Sequence, residues 1–316
     1  MANQKVTDPL VALVTLTRPV HWVKNFSLFA ALLFTGGLFS RLLFKRVFWG
    51  FLIFNLATSS AYIFNDILDA KRDALHPFKK NRPLAKGLIP LEVAFFISLL
   101  LAFLALFFAS QFSQFFFLMV ATYLLLQVAY SLFLKHTAII DILVIATGFV
   151  IRVYAGAFII NAHLSVWFLL CVISIALFLA SGKRRAELSL AGAPAQTRKS
   201  LTHYQTELLN SYVTMFGNAA WMSWALFTFF ESPQAAMPLW LFLAELSKAT
   251  TINKLLMATI PVTIFGIMRY ESLIFADRSE APEKLLLTDL PLVTSVMIWV
   301  GMVVWILYGG VSRVAY

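Results

Sequence analysis

The chain has 316 residues, 60% hydrophobic, 15% aromatic and only 13% charged, with a formal net charge of +10 and a mean hydropathy of +0.82. So apolar a composition excludes an ordinary soluble domain and predicts a polytopic helical membrane protein. Its basic residues fall in the loops and show no reading-helix motif, which excludes nucleic acid as a partner and leaves the lipid bilayer as the first one.

In chain order, residues 1–17 form a lead-in with Lys5 and Asp8 and no cleavage pattern of a signal peptide. Nine apolar runs of spanning length follow, at about 26–44, 47–65, 91–110, 113–134, 139–160, 165–181, 211–230, 252–270 and 291–309. The expected fold is all-α, a nine-transmembrane-helix bundle forming one membrane-embedded domain over 1–316. With the N-terminus cytoplasmic, the N-terminal segment and the loops after spans two, four, six and eight hold most of the 25 Lys and Arg. That bias predicts a plasma-membrane (inner-membrane) protein with a cytoplasmic N-terminus and an outer C-terminus. Loops after spans three and five are tight and nearly uncharged, whereas those after spans two and six are long and charged, so chemistry is expected on the cytoplasmic side. Ala191-Gly192-Ala193-Pro194-Ala195 should break loop six into two pieces, and the short apolar stretch 235–246 should lie at the outer interface. The single cysteine, Cys171, sits in an apolar run and excludes a disulfide framework.

The most informative stretch is Asn65-Asp66-x-x-Asp69-x-x-x-Asp73, at the end of the second span. On a helix the three acids share one face. Clustered like charges at a membrane edge require cations among them. Hard oxygen ligands of this kind suit Mg²⁺ bridging to substrate phosphates better than an all-protein cage. Lys71, Arg72, Lys79, Lys80, Arg82 and Lys86 crowd the same loop, and metal with flanking cations is what a polyphosphate substrate requires.

These residues resemble the UbiA superfamily of intramembrane prenyltransferases. Four further motifs, Arg18-Pro19-x-x-Trp22-x-Lys24-Asn25, His76-Pro77-x-Lys79-x-x-Arg82-Pro83, Tyr130-Ser131-x-x-Leu134-Lys135 and Lys183-Arg184-Arg185-Ala186-Glu187-Leu188, are similar to its branch of decaprenyl-phosphate phosphoribosyltransferases. The resemblance runs from about Arg18 to about Gly310. Aromatic prenyltransferases of the superfamily usually carry a second acidic motif in loop six. Here Lys183, Arg184 and Arg185 take its place beside one acid, Glu187, which favours direct phosphate contact over a second metal group.

The resemblance implies transfer of 5-phosphoribose from phosphoribosyl pyrophosphate to a polyprenyl phosphate, with Mg²⁺ as cofactor. Asp66, Asp69 and Asp73 would hold the metal, with Asn65 as a polar helper. Lys24, Lys79, Arg82, Lys135, Lys183 and Arg184 would hold phosphate oxygens, with Tyr130 beside them, and Glu187 would serve a metal, a ribose hydroxyl or a neighbouring Arg. Trp22 and Lys24 also fit an interfacial anchor, and Tyr130 and Lys135 a helix-end belt. Arg152 lies mid-span, eleven residues after Asp141 on the same face; it is either a donor-phosphate or ribose contact or half of a structural ion pair to another helix. An aromatic prenyltransferase using a prenyl diphosphate is the second reading and an anion transporter the third. A homo-oligomer is compatible with all three.

Overall fold

Gly36, at φ 79°, turns the chain inside the expected first span. The computed structural model describes residues 9–75, 79–189, 204–231, 254–276, 285 and 288–309, and all regular structure among them is helical. In place of a continuous helix over 26–44 there are the end of a 3-10 segment (Pro19–Leu28), the short α2 (Phe29–Phe34) and, after a turn, the start of the next helix at Arg41, with α1 (Pro9–Thr17) ahead of them. The break has local causes. Ahead of the run, Pro19 disfavours helical backbone at the residue before it and Arg18 adopts φ 52°, which separates α1 from the 3-10 segment; within the run, Gly36 and Gly37 follow the end of α2.

The rest of the bundle is made of α3 (Arg41–Asp73), α4 (Leu91–Ser110), α5 (Gln114–Leu132), α6 (Ile140–Ile159), α7 (Val166–Ser189), α8 (Thr206–Phe230), α9 (Ile260–Phe275) and α10 (Leu290–Tyr308). Seven segments among the described residues are long and apolar enough to cross a membrane; α8 has the length, with 25 residues, but a more polar composition. The nine spans expected from the sequence are thus not all matched among the described residues, where 26–44 is not one continuous helix. His76 and Pro77, the 191–195 break and the 235–246 stretch lie outside the described residues.

Ser40 caps α3, Ser113 caps α5 and Asp289 caps α10 through side-chain oxygens. The outer faces are apolar: Phe96, Leu99, Leu100, Phe103 and Phe107 on α4 all point away from the protein, as a lipid-facing helix requires. Inside, small polar residues bridge the helices, with Ser60 Oγ donating to Ser98 O at 2.8 Å and Ser98 Oγ to Ser60 O at 3.0 Å. Consecutive helices pack against one another from α3 to α10. Tyr308 brings the two ends together, its hydroxyl donating to Leu33 O at 2.6 Å.

The 3-10 segment matters most for function, because it lies against both α3 and α6. Trp22 Nε1 donates to Ser59 Oγ at 3.0 Å, and Ser59 Oγ to Thr17 O at 2.9 Å. On α6, Gly156 permits the approach: a Cβ there would stand 2.0 Å from Leu28 O. Backbone cannot give way as a side-chain tip can. Gly156→Ala is expected to lower the thermal midpoint of the detergent-solubilised protein by several degrees, and an unchanged midpoint would contradict this packing.

Candidate active site

Asp66, Asp69 and Asp73 share a face of the last two turns of α3, and all three are buried. Each meets a cation from elsewhere in the fold. Arg18 grips Asp66 with two nitrogens, Nε to Oδ2 at 3.1 Å and Nη2 to Oδ1 at 2.5 Å. Arg82 donates through one nitrogen to Asp66 Oδ1 at 3.1 Å and also to Asp73. Lys135, only 2% exposed, donates to Asp69 Oδ1 at 2.9 Å and to Asn65 Oδ1 at 3.2 Å. Arg72 stands at the rim, 3.9 Å from Asp69. Three carboxylates against Arg18, Arg82 and Lys135 give a charge-balanced cluster, which is what makes burial of the acids affordable.

Two of these cations are accessible. Arg82 is 26% exposed and Arg18 17%, so either can exchange a carboxylate for another anion without opening the core. The donor set fits Mg²⁺ by its chemistry, since it is all oxygen and anionic. Among the described residues no three His, Cys, Asp or Glu side chains converge as a ready-made cage, so the aspartates as they stand do not enclose an ion by themselves. These three aspartates are the ones that would hold it.

A second cluster lies at the junction of α5, α6 and α7. Arg184 is 0% exposed and is surrounded: Nε stands 2.6 Å from Asp141 Oδ2, Nη2 donates to Tyr130 Oη at 2.8 Å, and Nη1 pairs with Glu187. The Asp141 contact is an ion pair by distance, with the N–H not aligned on that oxygen. Tyr204, where the chain returns to α8, donates to Asp141 Oδ1 at 2.8 Å and accepts from the backbone N–H of Ile139, a residue at φ 68°. Burial pushes the Tyr204 phenol above its usual range and the Asp141 charge adds to it, so it remains a donor at neutral pH.

Arg184, expected at a phosphate, has all three nitrogens beside protein partners and orders Tyr130 and Glu187. Arg185 is likewise buried, with Nε on Asn210 Oδ1 at 2.7 Å. Lys24, Lys79 and Lys183 are half-buried and each already has an interaction. Arg152, 5% exposed, does not pair with Asp141 or with any other carboxylate among the described residues; its partners are Asn25, Gly148 and Tyr123. The apolar cleft of about 590 Å³ between α9 and α10, lined by Pro261, Phe265, Pro291 and Ile298, offers no ionisable group and is not part of this site.

Sequence reasoning had no role for Arg18, Asp141 or Tyr204. Arg18 stood in a matched motif but lies 48 positions from Asp66, and no local spacing reports such a pair. Asp141 was visible only as a neighbour of Arg152 on the helical wheel.

Together, fold and site define a polytopic helical membrane protein with a buried, charge-balanced acidic centre at the end of its longest helix. The family model described as the UbiA prenyltransferase family matches residues 25–246, and the chain belongs to that family. It is 34% identical to the decaprenyl-phosphate phosphoribosyltransferase of Mycolicibacterium smegmatis over 92% of this chain and 90% of that one. It is 32% identical to the protein of the same description from Mycobacterium tuberculosis, over 96% and 98%. Its fold is similar to that of a UbiA homologue from Archaeoglobus fulgidus bound to GPP and Mg²⁺, at TM-score 0.66 and 18% identity over 94% of this chain and 99% of the other.

Proposed function

We propose that the protein transfers 5-phosphoribose from phosphoribosyl pyrophosphate to a polyprenyl phosphate, releasing pyrophosphate, the whole chain acting as one membrane-embedded transferase. The relatives named for this reaction, similar over nearly their full length, support the reaction class. The observation that carries the reading is the ring of Arg18, Arg82 and Lys135 around the three aspartates. A diphosphate leaving group needs such a surround, in which cations can turn from carboxylate to phosphate as charge develops.

An oxygen of the lipid phosphate attacks C1 of the ribose. The C1–O bond to the diphosphate breaks, and its electron pair leaves with pyrophosphate. A phosphate monoester is already anionic near neutral pH, so no general base is demanded and catalysis rests on positioning and charge neutralisation. Bound Mg²⁺ supplies neutralisation of the leaving group as a Lewis acid. Asp66, Asp69 and Asp73 would hold that ion; Arg18, Arg82 and Lys135 orient the diphosphate, with Lys24, Lys79 and Lys183 as further phosphate contacts. Tyr130 and Glu187, ordered by Arg184, face the ribose. The reaction takes place on the cytoplasmic side of the plasma membrane, with the C-terminus outside.

Purified protein given radiolabelled phosphoribosyl pyrophosphate, polyprenyl phosphate and Mg²⁺ is expected to move label into the lipid phase. A parallel incubation with a prenyl diphosphate and 4-hydroxybenzoate should give no product. Prenylated aromatic product without phosphoribosylated lipid would overturn the reading.

A further inference from the structure

Arg152 stands in the middle of α6 with only uncharged partners. Nε donates to Asn25 Oδ1 at 2.6 Å, Nη1 to Gly148 O at 2.7 Å and Nη2 to Tyr123 Oη at 2.9 Å. The guanidinium also lies over the Tyr123 ring at 4.8 Å. Of its five N–H groups, three are thus used, and one on each terminal nitrogen is left. One amide away, Asn55 Oδ1 accepts from Asn25 Nδ2 at 2.6 Å. Its own Nδ2, in a side chain 3% exposed, has no partner.

The region therefore holds more donors than acceptors and more positive than negative charge, at membrane depth. That is expensive for a purely structural bolt, because a buried charge is normally met by a counter-charge and a buried amide by an acceptor. It is complementary to an anion with several oxygens. Asn55 and Thr58, which meet Asn25, precede Asp66 by eleven and eight residues on α3, placing this centre about 12–16 Å along the helix from the acidic cluster.

We propose that Arg152, Asn25 and Asn55 form a binding site for a phosphate monoester, distinct from the diphosphate site and deeper in the bundle. The inference rests on the transfer reaction above, whose two substrates both carry such a group: the 5-phosphate of the ribosyl donor and the head of the lipid acceptor. Three terminal oxygens and up to two negative charges match the unspent N–H groups of Arg152 and Asn55.

Asn55→Asp separates this site from a structural role. A structural Arg152 would gain a counter-charge, leaving activity unchanged and thermal stability equal or higher. At a phosphate site the new carboxylate repels the ligand, so the KM of one substrate should rise about tenfold or more while the protein stays folded. The substrate whose KM moves, phosphoribosyl pyrophosphate or polyprenyl phosphate, identifies the source of the phosphate. Arg152→Lys, which keeps the charge and loses the fork, should raise the same KM. Thermal shift of the wild type with ribose 5-phosphate and with farnesyl phosphate reads the site without catalysis, and one of the two should stabilise the wild type but not Asn55→Asp. Both KM values within about twofold of wild type in both variants overturn the site. Absence of phosphoribosylated lipid from the wild type overturns the reaction instead.

Discussion

Asp66→Asn is expected to cut turnover about a hundredfold or more and to leave a folded protein. Asn keeps an acceptor oxygen but not the charge that a metal or the two guanidinium groups require. The fold should tolerate the loss: Arg82 keeps Asp73, and Arg18 keeps the Tyr62 ring, 5.3 Å away. Asp69→Asn differs, because among the described residues it removes the carboxylate paired with Lys135, a side chain 2% exposed. Breaking a buried pair from one side costs about 3–5 kcal/mol, so this variant should lose both stability and turnover. Adding Lys135→Met removes the stranded charge, and the double variant should regain its thermal midpoint without regaining activity. Near wild-type label transfer by Asp66→Asn, or by the wild type in EDTA, would remove the metal from the proposal.

The acidic face of α3 was legible in the sequence because a helix repeats locally: Asp66, Asp69 and Asp73 are written at its spacing, and the apolar run before them fixes where they emerge. Lys135 was legible as a cation at a span end, but its partner was not, since the turn after α5 meets α3 only through the packing of the bundle. The same limit explains Arg152 and Asp141. Eleven residues put them on one face of α6, yet about 16 Å apart along its axis, and each took a partner from another helix. Near the N-terminus, apolar composition hid a broken backbone. A run long enough to span says nothing of Gly36, which breaks it, or of the 3-10 backbone that enters it from Pro19, and the pieces are too short to cross a bilayer.

Arg184→Met is expected to destabilise the protein by about 3–5 kcal/mol, because it strands Asp141 in a fully buried position. Tyr204 would still donate to Asp141, but a phenol cannot replace a counter-charge. Arg184→Lys should rescue little, since one ammonium cannot reach Asp141, Glu187 and Tyr130 from a single rotamer as the planar fork does. The neutral pair Asp141→Asn with Arg184→Gln removes both fully buried charges and takes the Arg184 partner only from Glu187, whose side chain is 17% exposed, so it should recover most of the thermal midpoint. Its turnover should stay low with KM for phosphoribosyl pyrophosphate little changed, because Glu187 and Tyr130 have lost the group that orders them. Thermal unfolding and label transfer, measured on the same preparations, separate this from direct phosphate binding. If Arg184→Met instead keeps its midpoint and raises KM for phosphoribosyl pyrophosphate, Arg184 leaves its carboxylates to hold the donor, and the buried triad is a resting arrangement that the substrate breaks.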